Sequence, residues 1–218
     1  TTEIYTLSLH DALPIFRIHE EIKNEGYETS NVYKMLYEEY VQVKDTANFL
    51  RTLDEGFNKM PEDPWFIQNL INYYLTNNLI EESKVYIDKA IQVSPNEAVY
   101  YYIKAKIFET EKNNVEARKL YDKTLELDPK YADAYAGIGV LVIEEGQKIL
   151  DDAAYKSDRE FNLAKNKANE VFKSAIDYFK KAAEINPEEQ IYKRNLRMLY
   201  YRLGMSKELE AIEKELGY

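Results

Sequence analysis

Apolar residues recur along most of this chain at intervals of three and four, the spacing that places side chains on one face of an α-helix. The period predicts helices over residues 30–42 and 46–59, 64–76 and 80–93, then 98–111 and 115–127, with a few polar residues between neighbours. The longer breaks carry proline: Pro61, Pro95 and Pro129 are evenly spaced, since 95 − 61 = 34 and 129 − 95 = 34. Proline lacks an amide donor and clashes with the preceding turn inside a helix, but suits a first turn. Ser94-Pro95-Asn96-Glu97 and Asn186-Pro187-Glu188-Glu189 therefore read as the end of one helix and the start of the next, and both have the form of a capping box.

Other positions keep register with these prolines. Five residues before each sits a small side chain (Gly56, Ala90, Thr124 and, before Pro187, Ala182), and eight before sits a bulky one (Leu53, Ile87, Tyr121, Phe179). Twelve before stand Ser83, Ala117 and Ala175, with Phe49 breaking the pattern. These offsets share a helical face, so paired helices are expected to approach closely there. Two antiparallel helices cannot cover such a stripe alone, and a repeat of this length buries it by stacking unit on unit.

After Pro129 the register changes. The next proline is due at 129 + 34 = 163, but Pro187 takes the role, leaving 187 − 163 = 24 additional residues. Ile138, Val142, Ile149, Leu150 and Ala153 keep helical spacing, as do Phe161, Ala164, Ala168, Val171, Phe172, Ala175, Ile176 and Phe179 after them, so the segment reads as a lengthened helical hairpin. Its tip is expected near residues 155–158, where Ser157 and Glu160 form a capping box. Twelve added residues per arm, at ~1.5 Å each, would carry the tip ~18 Å past the regular units. Both a partner-contacting projection and a packing variation fit this reading. Residues 193–203 and 206–216 form a last, more charged pair, as expected of a cap that faces water.

The run Val115-Glu116-Ala117-Arg118-Lys119-Leu120-Tyr121-Asp122-Lys123-Thr124-Leu125-Glu126-Leu127-Asp128-Pro129 resembles the tetratricopeptide repeat (TPR), and the resemblance extends over nearly everything after residue 15. It implies an all-α TPR solenoid, a right-handed superhelix of antiparallel helix pairs. The repeat units would be a partial one at 16–27, then about 30–61, 64–95 and 98–129, an extended one at 132–187 and a terminal pair at 188–218. An extended hairpin before a closing pair, with Tyr200 to Gly204 in it, is similar to a bacterial type of TPR protein.

In TPR proteins the first helix of each unit lines a concave groove. Carried over by offset, the resemblance places Lys34, Glu38, Gln68, Asn69, Asn72, Tyr102 and Lys106 there. Trp65, at a helix start, reads equally as a groove anchor or as packing on the preceding unit. TPR domains that grip the C-terminal carboxylate of chaperones use Lys and Asn, then Asn, then Lys and Arg. The corresponding positions hold Lys34, Glu38, Asn69, Val99 and Ile103; only Lys34 and Asn69 match, and Glu38 would repel a carboxylate, so that clamp is not expected. Polar amides and tyrosines suit an extended or helical peptide instead. The expected function is a protein–protein interaction scaffold; the alternative is the docking or regulatory region of a larger enzyme with its catalytic domain upstream.

The segment Thr1 to Ile15 shows no helical period, basic start or continuous apolar stretch. All fifteen residues resemble one translated frame of a common short-read sequencing adapter, and the Phe16 codon fits the base left over at the junction. The segment is expected to be non-native, with residues 16–25 the second helix of a truncated unit whose bared face could drive self-association. Localisation stays open between cytoplasm and periplasm.

Composition agrees with an α-helical reading: twenty Tyr and eight Phe against seven Gly among 218 residues. The net charge of −10, or −8 without Glu3 and Asp11 of the first fifteen residues, comes with no basic stripe, so a nucleic-acid partner is not expected. No apolar run reaches the ~20 residues of a membrane-spanning helix. Cysteine is absent, His19 is the only histidine beyond the first fifteen residues, and no phosphate-binding loop, nucleophile elbow or zinc motif occurs. Neither a cofactor nor a metal is expected, and the chain reads as a non-enzyme. Glu38-Glu39, Glu81-Glu82 and Asp151-Asp152 are expected on solvated faces. Tyr73, Tyr74, Tyr100, Tyr101 and Tyr102 could stack on a ligand, but aromatic stripes at helical spacing are usually core, and at least half are expected to be buried.

Overall fold

The computed structural model describes residues 21–218 except Asn24 and Tyr27. The adapter-like segment at 1–15 lies outside the described residues, as does most of the helix expected over 16–25; Glu21, Ile22 and Lys23 are helical. Ten helices follow: α1 (Ser30–Gln42), α2 (Thr46–Lys59), α3 (Pro64–Thr76), α4 (Ile80–Val93), α5 (Ala98–Thr110), α6 (Asn114–Leu127), α7 (Ala132–Asp151), α8 (Asp158–Ile185), α9 (Gln190–Leu203) and α10 (Ser206–Leu216). The described residues contain no strand. They divide into two compact units, one ending at Pro95 and the other beginning at Asn96.

In the first unit α1 packs on α2, α2 on α3 and α3 on α4. Thr29, Asp45 and Asp63 cap α1, α2 and α3 with side-chain oxygens that accept amide protons of the first turn, and Pro64 occupies a first helical position where its missing donor costs nothing. The core contains Tyr33, Leu36, Leu53, Phe66, Leu70 and Ile87, all fully buried. Gly56 shows why a small residue precedes Pro61: a Cβ there would lie 2.4 Å from the Phe66 ring, so α2 and α3 meet at a distance no other side chain permits without movement. The repeat period is also written in the backbone. The turns within the first three helix pairs each contain one left-handed non-glycine residue, Lys44, Asn78 and Lys112, with 78 − 44 = 34 and 112 − 78 = 34.

In the second unit α5 packs on α6, α6 on α7, and the long α7–α8 hairpin continues onto α9 and α10. Its core is built from Tyr121, Ile138, Phe172, Ala175, Phe179 and Leu199. Each glycine of helix α7 lies under an aromatic ring: Gly137 under Tyr121, Gly139 under Phe179 and Gly146 under Phe172.

The hairpin is lengthened unequally. Helix α7 has 20 residues against 13 in α5, and α8 has 28 against 14 in α6, gains of 7 and 14 rather than twelve in each arm. The connecting turn runs over 152–157, six residues against three at 111–113, and 7 + 14 + 3 accounts for all 24 additions. At ~1.5 Å per residue the arms gain about 10 Å and about 21 Å. The first arm ends at Asp151, where Asp151 and Asp152 set negative charge against the carbonyl end of α7 and Lys148 offsets part of it. The second starts on a complete capping box, with Ser157 Oγ accepting from the Glu160 amide and the Glu160 carboxylate accepting from the Ser157 amide.

The two other expected capping boxes do not form. Ser94 and Asn186 are the C-caps of α4 and α8, while the N-caps of α5 and α9 are Glu97 and Glu189. Pro95 and Pro187 therefore sit in the turns, not in first helical turns, which leaves the potential capping side chains too far from the amides. Helix α9 also starts three residues before the expected Lys193, at Gln190.

Candidate functional site

Of the residues assigned by offset to a binding face, the first unit holds Lys34 and Glu38 on α1 and Trp65, Gln68, Asn69 and Asn72 on α3. Their commitments differ. Lys34 Nζ donates to Asp63 Oδ2 at 2.7 Å, and the same oxygen accepts from Ser30 Oγ at 2.5 Å. The ammonium also lies 5.3 Å from the Trp65 ring centroid and 5.8 Å from that of Phe66. Burial pushes the Asp63 carboxyl up, but the Lys34 and Ser30 hydrogen bonds and the Trp65 amide outweigh it and hold the group below the usual carboxylate range. Lys34 thus ties α1 to the start of α3. Asn69 is also engaged, donating from Nδ2 to the Trp65 carbonyl at 2.7 Å.

Glu38, Gln68 and Asn72 are exposed. Their side chains make no hydrogen bond or ion pair within the described residues, so they are the free polar groups of this face. Trp65 is half-buried and meets Tyr37 of α1 edge-on at 5.1 Å. Trp65 thus packs on the preceding helix pair while remaining partly exposed.

Trp65 belongs to a ladder of edge-to-face rings. Tyr37 meets Phe49 at 5.7 Å, Phe49 meets Tyr73 at 5.3 Å, and Tyr73 meets Tyr74 at 5.4 Å. Each such pair contributes ~0.5–1.5 kcal/mol beyond the area it buries. Phe49, which broke the small-residue pattern, is the rung joining α1 to α3, a role its irregular size signalled without identifying its partners.

Tyr102 and Lys106 lie on α5 in the second unit. Tyr102 is half-buried, 6.0 Å from the ring of Tyr121 and 4.9 Å from that of Tyr131. Lys106 is exposed and pairs with Glu109 at 2.5 Å, while Tyr121 Oη donates to the other Glu109 oxygen at 2.5 Å. From α9, Tyr192 Oη donates to Asp133 Oδ1 at 2.5 Å. Burial, then neighbouring carboxylates, pushes Tyr102, Tyr121, Tyr131 and Tyr192 above the ordinary phenol range, so all four remain neutral. Asp133, Glu109 and Tyr131 escaped the sequence reading because the offset rule follows one helical face: Glu109 shares α5 with Tyr102 but engages Tyr121 of α6, and Asp133 meets Tyr192 of α9 only through tertiary packing.

The expectation that at least half of Tyr73, Tyr74, Tyr100, Tyr101 and Tyr102 are buried is not met. Tyr100 is buried, while Tyr73, Tyr74, Tyr101 and Tyr102 are half-buried. A phenol has an apolar body and a wet end, and these rings use both. Glu81, Glu82, Asp151 and Asp152 are exposed, as is Glu38, while Glu39 is half-buried.

A cleft of about 500 Å³ opens between α6 and α7, lined in part by Val115, Arg118, Leu141, Val142 and Glu144. Among the described residues no group of three or more His, Cys, Asp or Glu is arranged to hold a metal ion, and no helix is long and apolar enough to cross a membrane.

Residues 98–131, which comprise α5, α6 and the turn after them, match the family model of the tetratricopeptide repeat. Solved structures with the same fold include MamA, at 17% identity over 86% of this chain and 89% of that one, with a TM-score of 0.60. A TPR repeats protein from Bacteroides fragilis NCTC 9343 aligns at 18% identity over 88% of this chain and 92% of that one, with a TM-score of 0.55. YrrB, described as a TPR protein with an unusual peptide-binding site, aligns at 15% identity over 90% and 92%, with a TM-score of 0.57. Comparison with curated proteins gives no match. The chain carries a tetratricopeptide repeat and has the all-α fold of a TPR solenoid. TPR proteins generally mediate protein–protein interactions and are typically non-catalytic scaffolds.

Proposed function

We propose that this protein is an interaction scaffold that binds a peptide segment of a partner protein along the faces of its first-of-pair helices. The observation that carries the reading is the state of Glu38, Gln68 and Asn72. They stand exposed beside the half-buried Tyr37–Trp65 pair with no intramolecular partner, whereas Lys34 and Asn69 on the same face are fixed by internal bonds. Rigid aromatic rings flanked by uncommitted amides can grip a peptide by contact area and by backbone hydrogen bonds. No residue constellation favours the docking region of an enzyme over this reading.

The test is selection of binding peptides against the full chain from a displayed random library, followed by titration calorimetry. Gln68→Ala/Asn72→Ala is expected to weaken selected peptides at least about fivefold, the worth of one or two lost hydrogen bonds. Glu81→Ala/Glu82→Ala, on the exposed first turn of α4, is expected to leave them unchanged. Equal affinity for all three chains would remove this face from the function.

A further inference from the structure

Rings on this molecule's surface recur in a fixed arrangement with one carboxylate and one cation. Lys34 pairs with Asp63 at 2.7 Å and lies 5.3 Å from the centroid of Trp65. Lys89 reaches Asp54 at 3.9 Å and lies 4.7 Å from Tyr86, whose hydroxyl donates to the same Asp54 at 3.0 Å. Arg197 pairs with Glu213 at 2.8 Å and lies 4.6 Å from Tyr218. In each case the ring quadrupole and the carboxylate attract the cation together.

One further place in the second unit has rings and a carboxylate without the cation. Tyr102 and Tyr131 are half-buried, with centroids 4.9 Å apart and planes tilted by 35°. Asp133 acts electrostatically on both rings and on Tyr192. It stands in the first turn of α7, where the amide end of the helix favours a charged carboxylate. Oδ1 is held by the Tyr192 hydroxyl at 2.5 Å, which orients the group and leaves Oδ2 available. No lysine or arginine among the described residues pairs with Asp133 or lies over Tyr102 or Tyr131, and Lys106, one turn along α5, is turned to Glu109. Asp128 and Glu189 add further negative charge to this cluster, acting on Tyr131 and Tyr192.

We infer that the Tyr102–Tyr131–Asp133 site receives a cationic side chain from the partner, so that the peptide bound by this scaffold is basic and places a lysine or arginine there. The inference rests on the peptide-binding reading above and adds the charge of the ligand. A cation in this position would meet the tyrosine pair and one oriented carboxylate, while an acidic residue would face Asp133 with no cation to balance it.

The probe is an acetylated, amidated octapeptide of alternating glycine and lysine, compared with its twin in which every lysine is Nε-acetylated. Both are titrated into the full chain and into Asp133→Asn and Tyr102→Leu, with circular dichroism verifying that the variants are folded. Asparagine keeps an oxygen for the Tyr192 hydroxyl and removes only the charge. The lysine peptide is expected to bind the unaltered chain at least about fivefold tighter than its twin, with most of that ratio lost in Asp133→Asn and part of it in Tyr102→Leu. Equal binding of the twins, or a ratio that survives Asp133→Asn, overturns the inference. Failure of both peptides to bind overturns it as well. In any of these cases library peptides sensitive to Gln68→Ala/Asn72→Ala would leave the peptide-binding reading standing.

Discussion

Replacing Gly137 with alanine tests whether the second unit is packed as tightly as its geometry indicates. An ideal Cβ at this position would lie 2.4 Å from Tyr121 Cζ and 2.8 Å from both Cε atoms, distances that real side chains do not adopt. In an open helix the same change stabilises by up to ~1 kcal/mol, because glycine gives up more backbone freedom on folding. Here the obstructing ring is fully buried and its hydroxyl is anchored to Glu109 at 2.5 Å, so it cannot swing aside without stretching that bond. Overpacking costs ~1–3 kcal/mol, and a weakened hydrogen bond to a charged acceptor adds ~1 kcal/mol. Set against the propensity gain, the net expectation is a loss of about 1–3 kcal/mol. Urea unfolding followed by far-ultraviolet circular dichroism measures it as a shift in midpoint. Combining the change with Tyr121→Phe examines the cause: if the displaced ring has already weakened its bond, the double variant should be less destabilised than the sum of the singles by about 1 kcal/mol. A Gly137→Ala chain as stable as the original, or more so, would refute the packing argument.

Two further outcomes follow from specific contacts. The Asp63 carboxyl is held below its ordinary range in the folded chain, so its contribution is present in full above the unfolded value of ~3.9 and is lost as pH falls through the folded value. Lys34→Met is accordingly expected to cost about 1 kcal/mol near neutral pH, with the ion-pair part of the difference from the unaltered chain disappearing as the Asp63 carboxyl protonates in the folded state; a pH-independent difference would mean that Lys34 acts through the Trp65 and Phe66 rings rather than through Asp63. Ser157→Ala removes the side-chain half of the capping box at the hairpin tip, and helix α8 should lose about 1 kcal/mol and fray at its first turn. Amide hydrogen exchange at residues 158–161 is the sensitive readout, and unchanged protection there would mean that the box contributes nothing.

Much of the architecture is legible in the residues. Helices α1 to α4 occupy the spans that apolar periodicity predicts, and the proline spacing anticipates a period that returns in the left-handed turn residues Lys44, Asn78 and Lys112. The hairpin's total of 24 extra residues is a matter of counting. Its division into arms gaining 7 and 14 is not, because helical periodicity continues across a turn and does not mark where the chain reverses. The candidate face is half legible. Offset from a repeat identifies which residues share a helical side, and Glu38, Gln68 and Asn72 are exposed and unengaged. It does not reveal that Lys34 is spent on Asp63, 29 positions away, or that Trp65 leans on Tyr37.

By itself, then, the sequence determined the kind of element, the length of the repeat, the lack of cysteine chemistry and the negative sign of the charge, since these depend on residue type and on spacing within a single helix. The tertiary structure alone decided which polar groups are consumed and which remain for a partner. Tyr102, Asp133 and Tyr192 come from three different helices and Tyr131 from the N-cap of α7, and the distances between their side chains depend on how closely α5, α7 and α9 approach. Close packing of this kind is seen where the Tyr121 ring of α6 lies against Gly137 of α7, a contact that a missing Cβ rather than any present side chain makes possible.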